Sequence, residues 1–110
     1  MRTLTFLALA MMVLIITAFK VNQSQIIVEV QIEEMSFEPK VIMIKKGTTL
    51  RWINMSHNSH NVVSKKGDFR SPLLRRQYST YEVTFLRSGQ FNYHCAPHKS
   101  MGMTGQIIVK

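Results

Sequence analysis

One short segment holds the side chains with the clearest chemical potential. It starts at Cys95, the single cysteine of the chain, continues through His98 and contains Met101 and Met103. A thiolate and an imidazole bind copper in both oxidation states, and a thioether adds a weak further ligand. Because these residues lie only a few positions apart, one loop can wrap a single metal ion. The residue types and their spacing therefore indicate a copper site.

The loop offers one imidazole, so a second must come from a distant part of the chain. His60 is the leading candidate. His94 directly precedes Cys95, and alternation along a strand is expected to point it to the opposite face. His57 is expected to be a polar surface residue. The sequence therefore predicts that His60 and His98 supply the two imidazoles.

The segments around these residues resemble the cupredoxins, or small blue copper proteins, and within them the plastocyanin, pseudoazurin and amicyanin group. The resemblance covers most of the chain from residue 26 onward. Four segments follow the order and character of the family's signature segments: Phe37 to Pro39, Gly47 to Asn54, His60 to Val62, and Tyr93 to Gly105.

The resemblance implies a ligand set. It makes His60, Cys95 and His98 equatorial ligands of one type 1 copper ion and makes a methionine the long axial ligand. The spacing from Cys95 to Met103 is similar to that in plastocyanin and pseudoazurin, so Met103 is the predicted axial ligand. Met101 has the spacing of the shorter amicyanin-like loop and remains the alternative.

The resemblance also implies a function. It predicts a one-electron carrier that cycles between Cu(I) and Cu(II), shuttles electrons between extracytoplasmic redox partners and is not an enzyme. The residue after the first histidine ligand, here Asn61, is expected to tie the two copper-bearing segments together by hydrogen bonds. The alternative is a copper-binding carrier or chaperone that delivers Cu(I) to a cuproenzyme, because the paired Met101 and Met103 suit Cu(I).

The elements that must position these residues are predicted to be short strands. Apolar and polar residues alternate from Ile26 to Glu33, which is the period of a half-buried strand. Many short strands at regular spacing indicate an all-β sandwich, and the resemblance specifies a cupredoxin-like Greek key of about seven to eight strands. The further predicted strands are Val41 to Lys45, Thr48 to Asn54, His60 to Ser64, Tyr81 to Phe85, Gln90 to Cys95, and Gln106 to Lys110.

The N-terminal segment differs from the rest. Arg2 precedes an apolar run from Leu4 to Ala18, which is typical of an export signal. The run is shorter than the roughly 20 apolar residues of a spanning helix, so a removed signal peptide is favoured over a retained membrane anchor. We predict a signal peptide or anchor at 1–18, a linker at 19–25 and one copper-binding domain at 26–110. The domain is expected to be periplasmic or otherwise extracytoplasmic.

Charge indicates the kind of partner. The chain carries 14 basic and 6 acidic residues, a net charge of +8. A basic rim near the copper end would steer the protein toward a redox partner with an acidic docking face. Attraction of the basic face to a membrane surface is the alternative. Nucleic acid is not an expected partner, and a monomer is expected. The rim residues are Lys65, Lys66, Arg70, Arg75, Arg76 and Lys99.

Overall fold

Two four-stranded sheets form the part of the chain that the structure describes, which is residues 24–110 of a computed structural model. The predicted segment 1–18 and most of the predicted linker lie outside the described residues. The strands are β1 (Ile27–Ile32), β2 (Phe37–Glu38), β3 (Val41–Ile44), β4 (Thr49–Asn54), β5 (Val63–Ser64), β6 (Thr80–Thr84), β7 (Gly89–His94) and β8 (Thr104–Val109), and a 3₁₀ helix spans Ala96–Met101.

The chain passes back and forth between the two sheets. One sheet has the order β2-β1-β4-β6 and the other β3-β8-β7-β5. β1 pairs with β4, and β3 with β8, in parallel, whereas the other pairs are antiparallel. A parallel pair needs a crossover, and here β2 and β3 intervene between β1 and β4. The predicted all-β class and the sandwich of two sheets are confirmed.

A cluster of buried aromatic side chains joins the two sheets. Trp52 on β4 is fully buried, and its ring centroid lies 5.5 Å from that of Tyr93 on β7 and 5.7 Å from that of Phe69. Phe85 and Phe91 extend the cluster away from the metal-binding loop. These aromatic residues therefore form a large part of the core between the sheets.

The predicted strand His60 to Ser64 is only partly present. Val63–Ser64 pairs with β7, but His60 lies outside the sheets and forms an isolated bridge with Leu74. The backbone N–H of His60 donates to Leu74 O at 3.2 Å, and Leu74 N–H donates to His60 O at 2.7 Å. At His60, pairing with Leu74 therefore replaces the predicted strand pairing within a sheet. The segment around Leu74 has no alternation of apolar and polar residues that would have indicated this pairing.

The first strand differs from its prediction at one end. Val30 and Ile32 are fully buried, as the alternation predicts, but Ile26 is 64% exposed. Ile26 precedes β1, at the edge of the sandwich where the core no longer covers it. No helix within residues 24–110 has the length and apolar character to cross a bilayer.

Candidate metal centre

The backbone of His60 is fixed in the interior independently of the contacts of its ring. Its two backbone bonds to Leu74 fix the main chain, and the side chain is fully buried. The ring Nε2 lies 2.8 Å from Ser56 Oγ, so the ring is oriented with Nδ1 toward Cys95, 3.7 Å from the sulfur. The residue therefore presents one nitrogen to the site and uses the other for support.

The loop that carries Cys95 leaves the end of β7 and returns into β8. Pro97 lies in the first turn of the 3₁₀ helix, where its missing N–H costs nothing, and Gly102 ends the helix in the left-handed conformation. Cys95 N–H donates to Met103 O at 3.1 Å, which closes the loop across its base. His98 Nδ1 is thereby brought to 3.4 Å from Cys95 Sγ.

The three predicted equatorial residues meet at one point. The donor atoms of His60, Cys95 and His98 all lie within 4.8 Å of one another, and the two imidazole rings are 4.9 Å apart between centroids. One sulfur and two imidazole nitrogens in this proximity, with His60 and Cys95 fully buried, are a donor set that copper favours. The residues present fit the predicted metal.

The two candidate axial methionines differ in burial. Met103 is 1% exposed and belongs to the core, whereas Met101 is 66% exposed at the end of the 3₁₀ helix. A buried thioether can complete a site in which the side chains of His60 and Cys95 are also buried. An exposed one faces solvent instead.

The surroundings of His60 favour its neutral form. Burial lowers the pKa of His60, the nearby His98 lowers this pKa further, and Glu34 opposes the shift. A metal binds the neutral imidazole, so the shift favours the form that binds.

Asn61 connects the two segments of the site. Its side-chain Oδ1 accepts a hydrogen bond from the backbone N–H of Ala96 at 2.7 Å, so the residue after His60 is tied to the residue after Cys95. This confirms the role predicted for Asn61.

Within residues 24–110, the cluster of potential metal ligands includes neither His57 nor His94. His57 is exposed, and His94 is half-buried at a strand position that alternates with Tyr93 and Cys95. Sequence reasoning missed Ser56, the hydroxyl partner of His60. Its only sequence signal is a serine four residues before the histidine in a turn-like stretch.

Comparison with known proteins places this geometry in a family. Residues 24–110 match the family of copper binding proteins that includes plastocyanin and azurin. Amicyanin of Paracoccus denitrificans is 34% identical over 86 residues, which cover 74% of this chain and 63% of that protein. Chloroplastic plastocyanin of Chlamydomonas reinhardtii is 31% identical over 86 residues, which cover 69% of this chain and 59% of that protein.

A solved structure agrees with the sequence matches. An oxidised amicyanin variant superposes with a TM-score of 0.68 at 29% identity, covering 83% of this chain and 87% of that one. The chain therefore belongs to the plastocyanin/azurin family of copper-binding proteins, and the predicted copper cofactor is confirmed. The chain spans less than two thirds of the length of the two curated relatives named above. The matches do not favour the alternative of copper delivery.

Proposed function

We propose that this chain is a one-electron carrier with a type 1 copper site held by His60, Cys95, His98 and Met103. The observation that carries the proposal is the meeting of one thiol sulfur and two imidazole nitrogens within 4.8 Å. Copper supplies the redox couple when bound. The protein's part is to hold the donor atoms in nearly one geometry for both oxidation states, so that little rearrangement accompanies electron transfer.

The choice of Met103 rather than Met101 as axial ligand rests on burial. Met103 is 1% exposed and is linked to Cys95 by a backbone hydrogen bond, whereas Met101 is 66% exposed. An axial thioether contributes weakly to affinity but strongly to the reduction potential. Met103→Leu is therefore expected to shift the reduction potential, and Met101→Leu is expected to leave it nearly unchanged.

The electron is proposed to enter and leave through His98. His60 and Cys95 are fully buried, whereas His98 is half-buried and is the only member of the three-residue cluster with substantial access to solvent. Pro97 and the exposed Met101 flank it on the surface. A partner that covers this apolar surface would approach the site closely without entering it. The carrier has no proposed substrate cleft, and we propose no enzymatic activity.

A redox partner with an acidic docking face is proposed from charge. The predicted rim lysines and arginines are all exposed. Lys65 and Lys99, together with Lys40, line a groove of about 420 Å³ on the outer face of β7 and β8, beside the loop, and no Asp or Glu of the described residues lines it. Opposite charge on a partner would raise the encounter rate.

The visible spectrum tests the copper site. The Cu(II)-loaded protein is expected to show an intense thiolate-to-copper charge-transfer band, and Cys95→Ser is expected to abolish it. The Met103→Leu and Met101→Leu pair then tests the axial assignment through the reduction potential. A colourless protein that nevertheless binds Cu(I) would overturn the electron-carrier proposal.

Salt and charge reversal test the docking face. Oxidation of the reduced protein by anionic hexacyanoferrate(III) is expected to slow as salt is added, and to slow about tenfold in the double variant Lys65→Glu, Lys99→Glu. The matched control is Lys45→Glu, Lys46→Glu. These lysines lie at the opposite end of the sandwich, where Lys46 N–H donates to Lys110 O. A salt-independent rate would exclude steering.

The chain is also proposed to work outside the cytoplasm. The support is the apolar run from Leu4 to Ala18 after Arg2. Fractionation of the host cell, with mass spectrometry of the recovered protein, would establish both the compartment and whether residues 1–18 are removed. Recovery of the intact chain in the cytoplasm would contradict this proposal.

A further inference from the structure

A network of buried polar side chains fills the turn that leads from β4 to His60. Ser56 is 3% exposed, and its Oγ lies 2.8 Å from His60 Nε2 and 3.2 Å from Asn58 O. Asn58 N–H donates to the same oxygen at 3.1 Å. The hydroxyl of Ser56 therefore has three polar neighbours.

Asn54 holds this turn in place from below. The side chain is fully buried, and its Oδ1 accepts from Ser56 N–H at 3.0 Å. Its Nδ2 donates to Asn58 O at 2.9 Å and to Leu74 O at 3.0 Å. Since Leu74 also pairs with the backbone of His60, the serine and the histidine are fixed relative to one frame.

The Ser56 hydroxyl has only one proton, which limits the hydrogen bonds that it can make to its three polar neighbours. A hydroxyl has one proton to donate and two lone pairs to accept. Asn58 N–H occupies one lone pair, and Asn58 O can only accept, so all three contacts are hydrogen bonds only if the hydroxyl proton points to Asn58 O. The position facing His60 is then a lone pair, which requires a proton on Nε2. The reverse arrangement, with the serine donating to Nε2, makes one fewer hydrogen bond, and Asn58 O then keeps only the bond from Asn54 Nδ2.

We propose that Ser56 is a positioning residue whose hydroxyl fixes His60 in the Nε2–H tautomer, with the unprotonated Nδ1 turned toward Cys95 before metal arrives. The backbone of His60 is already clamped by Leu74, so the tautomer and the ring rotation are the remaining freedoms. An outer partner that fixes both improves metal binding because the free site needs less reorganisation. The inference rests on the proposed role of His60 as a ligand.

The metal-free full chain provides the direct test. Imidazole ¹⁵N shifts and one-bond couplings, measured by NMR where the rings are neutral, report which nitrogen carries the proton. The wild type is expected to show His60 as a single Nε2–H tautomer. Ser56→Ala is expected to give a mixture, and Ser56→Thr, which keeps the hydroxyl, is expected to restore the single form.

Ser71 offers a matched control. It is 4% exposed, and its hydroxyl accepts from Val62 N–H at 2.8 Å and donates to Pro72 O at 2.8 Å, so this hydroxyl is engaged away from His60. Ser71→Ala removes an equally buried hydroxyl and is expected to lower stability without altering the tautomer. Copper affinity is expected to fall at least tenfold in Ser56→Ala and to be unaffected in Ser71→Ala.

The outcomes separate this inference from the proposed function. A wild-type His60 that carries its proton on Nδ1, or that is already a mixture, would overturn the role of Ser56 even if every Ser56 variant failed to fold. A single Nε2–H tautomer that persists in Ser56→Ala would overturn it too. Absence of a charge-transfer band in the wild type would instead defeat the copper carrier and leave the metal-free tautomer result standing.

Discussion

The two halves of the metal site are supported in different ways. His60 is fully buried and is oriented by side-chain hydrogen bonds in the turn from Asn54. The 3₁₀ helix Ala96–Met101, which carries His98, has no buried residue. It is held by backbone bonds and by the contact from Asn61 to Ala96. One half is therefore part of the core, and the other is a surface loop attached to it.

This difference assigns a task to each half. The core half sets the geometry, because a side chain with no solvent access and two fixed partners cannot move without breaking buried hydrogen bonds. In the loop half, His98 is half-buried and Pro97 and Met101 are exposed, which is the surface proposed above for partner contact. We therefore expect substitutions in the core below the loop to lower the stability of the fold, and substitutions on the loop to weaken contact with a partner.

Two glycines give the strongest test of this contrast. A Cβ at Gly105 on β8 would lie only 2.6 Å from Tyr93 Cε1, and Tyr93 is 2% exposed and packed against Trp52. The ring has no room to yield, so Gly105→Ala is expected to destabilise the metal-free protein by about 3 kcal/mol. At Gly102, on the loop, a Cβ would meet nothing within 4 Å.

Gly102→Ala is the matched control for that substitution. Gly102 has a φ of 77°, so alanine there costs about 1 kcal/mol of backbone strain and no overlap. Urea unfolding of both variants measures the difference as a shift of the midpoint at unchanged slope. Equal losses of unfolding free energy at the two positions would mean that the packing of Tyr93 against Gly105 is no more rigid than the loop at Gly102.

The hydroxyl of Tyr93 predicts a loss of stability in alkali. Burial raises the pKa of Tyr93 to about 12. An unfolded tyrosine ionises near pH 10. The contribution of Tyr93 is therefore complete below about pH 10 and is lost as the pH rises toward 12, by about 2 to 3 kcal/mol in all.

Tyr93→Phe isolates this effect. Tyr93 Oη and Trp52 Nε1 are buried without a hydrogen-bond partner in the described part of the chain, so removing the hydroxyl is expected to cost little at neutral pH. Chemical denaturation at a series of alkaline pH values should show a shallower fall for the variant. An unchanged alkaline profile would mean that Tyr93 ionises in the folded state as freely as in the unfolded one.

The three candidate equatorial residues could be proposed from the sequence because copper chemistry restricts the residue types so strongly. A thiolate and two imidazoles are needed, and Cys95 and His98 have the spacing of a single loop. The strands could be predicted where one face is buried, as along β1. The resemblance in spacing favours Met103 but leaves Met101 as the alternative. Burial adds support for Met103, because Met101 ends a surface helix and Met103 lies in the core.

The remaining features depend on contacts between distant residues. The bridge from His60 to Leu74 is a pairing that no alternation of apolar and polar residues in the sequence indicates. Ser56 is an ordinary turn residue by composition, and it gains its role only when the turn folds over His60. The strand β2, Phe37–Glu38, is too short for any alternation to appear.

Acid is expected to weaken the buried half of the site. The pKa of His60 is lowered, chiefly by burial, so the folded metal-free protein binds this proton less readily than the unfolded chain. The contribution of His60 to stability is therefore complete above about pH 6.5, the ordinary histidine pKa, and is lost as the pH drops. One histidine can contribute a slope of at most about 1.4 kcal/mol per pH unit.

His94 must be separated from this effect. Its pKa is also lowered, by burial first and then by Lys99 and Arg70. Urea midpoints measured across this range should therefore depend most steeply on pH in the wild type, less steeply in His94→Gln, and least in the double variant His60→Gln, His94→Gln. If the double variant were as sensitive to acid as His94→Gln, the burial of His60 would carry no energetic penalty for its charged form.

The smallest expected effect lies at the joint between the two halves. Asn61→Ala removes the acceptor of the Ala96 N–H, and because Ala96 is exposed, water can replace that acceptor. The cost in stability is expected to be about 1 kcal/mol, while hydrogen exchange of the Ala96 amide is expected to quicken. Asn92→Ala is the control, since Asn92 Oδ1 accepts from Gln106 Nε2 at 3.0 Å on an exposed face. If the amide of Ala96 exchanged at the same rate in Asn61→Ala as in this control, the loop would be held by its own backbone bonds alone.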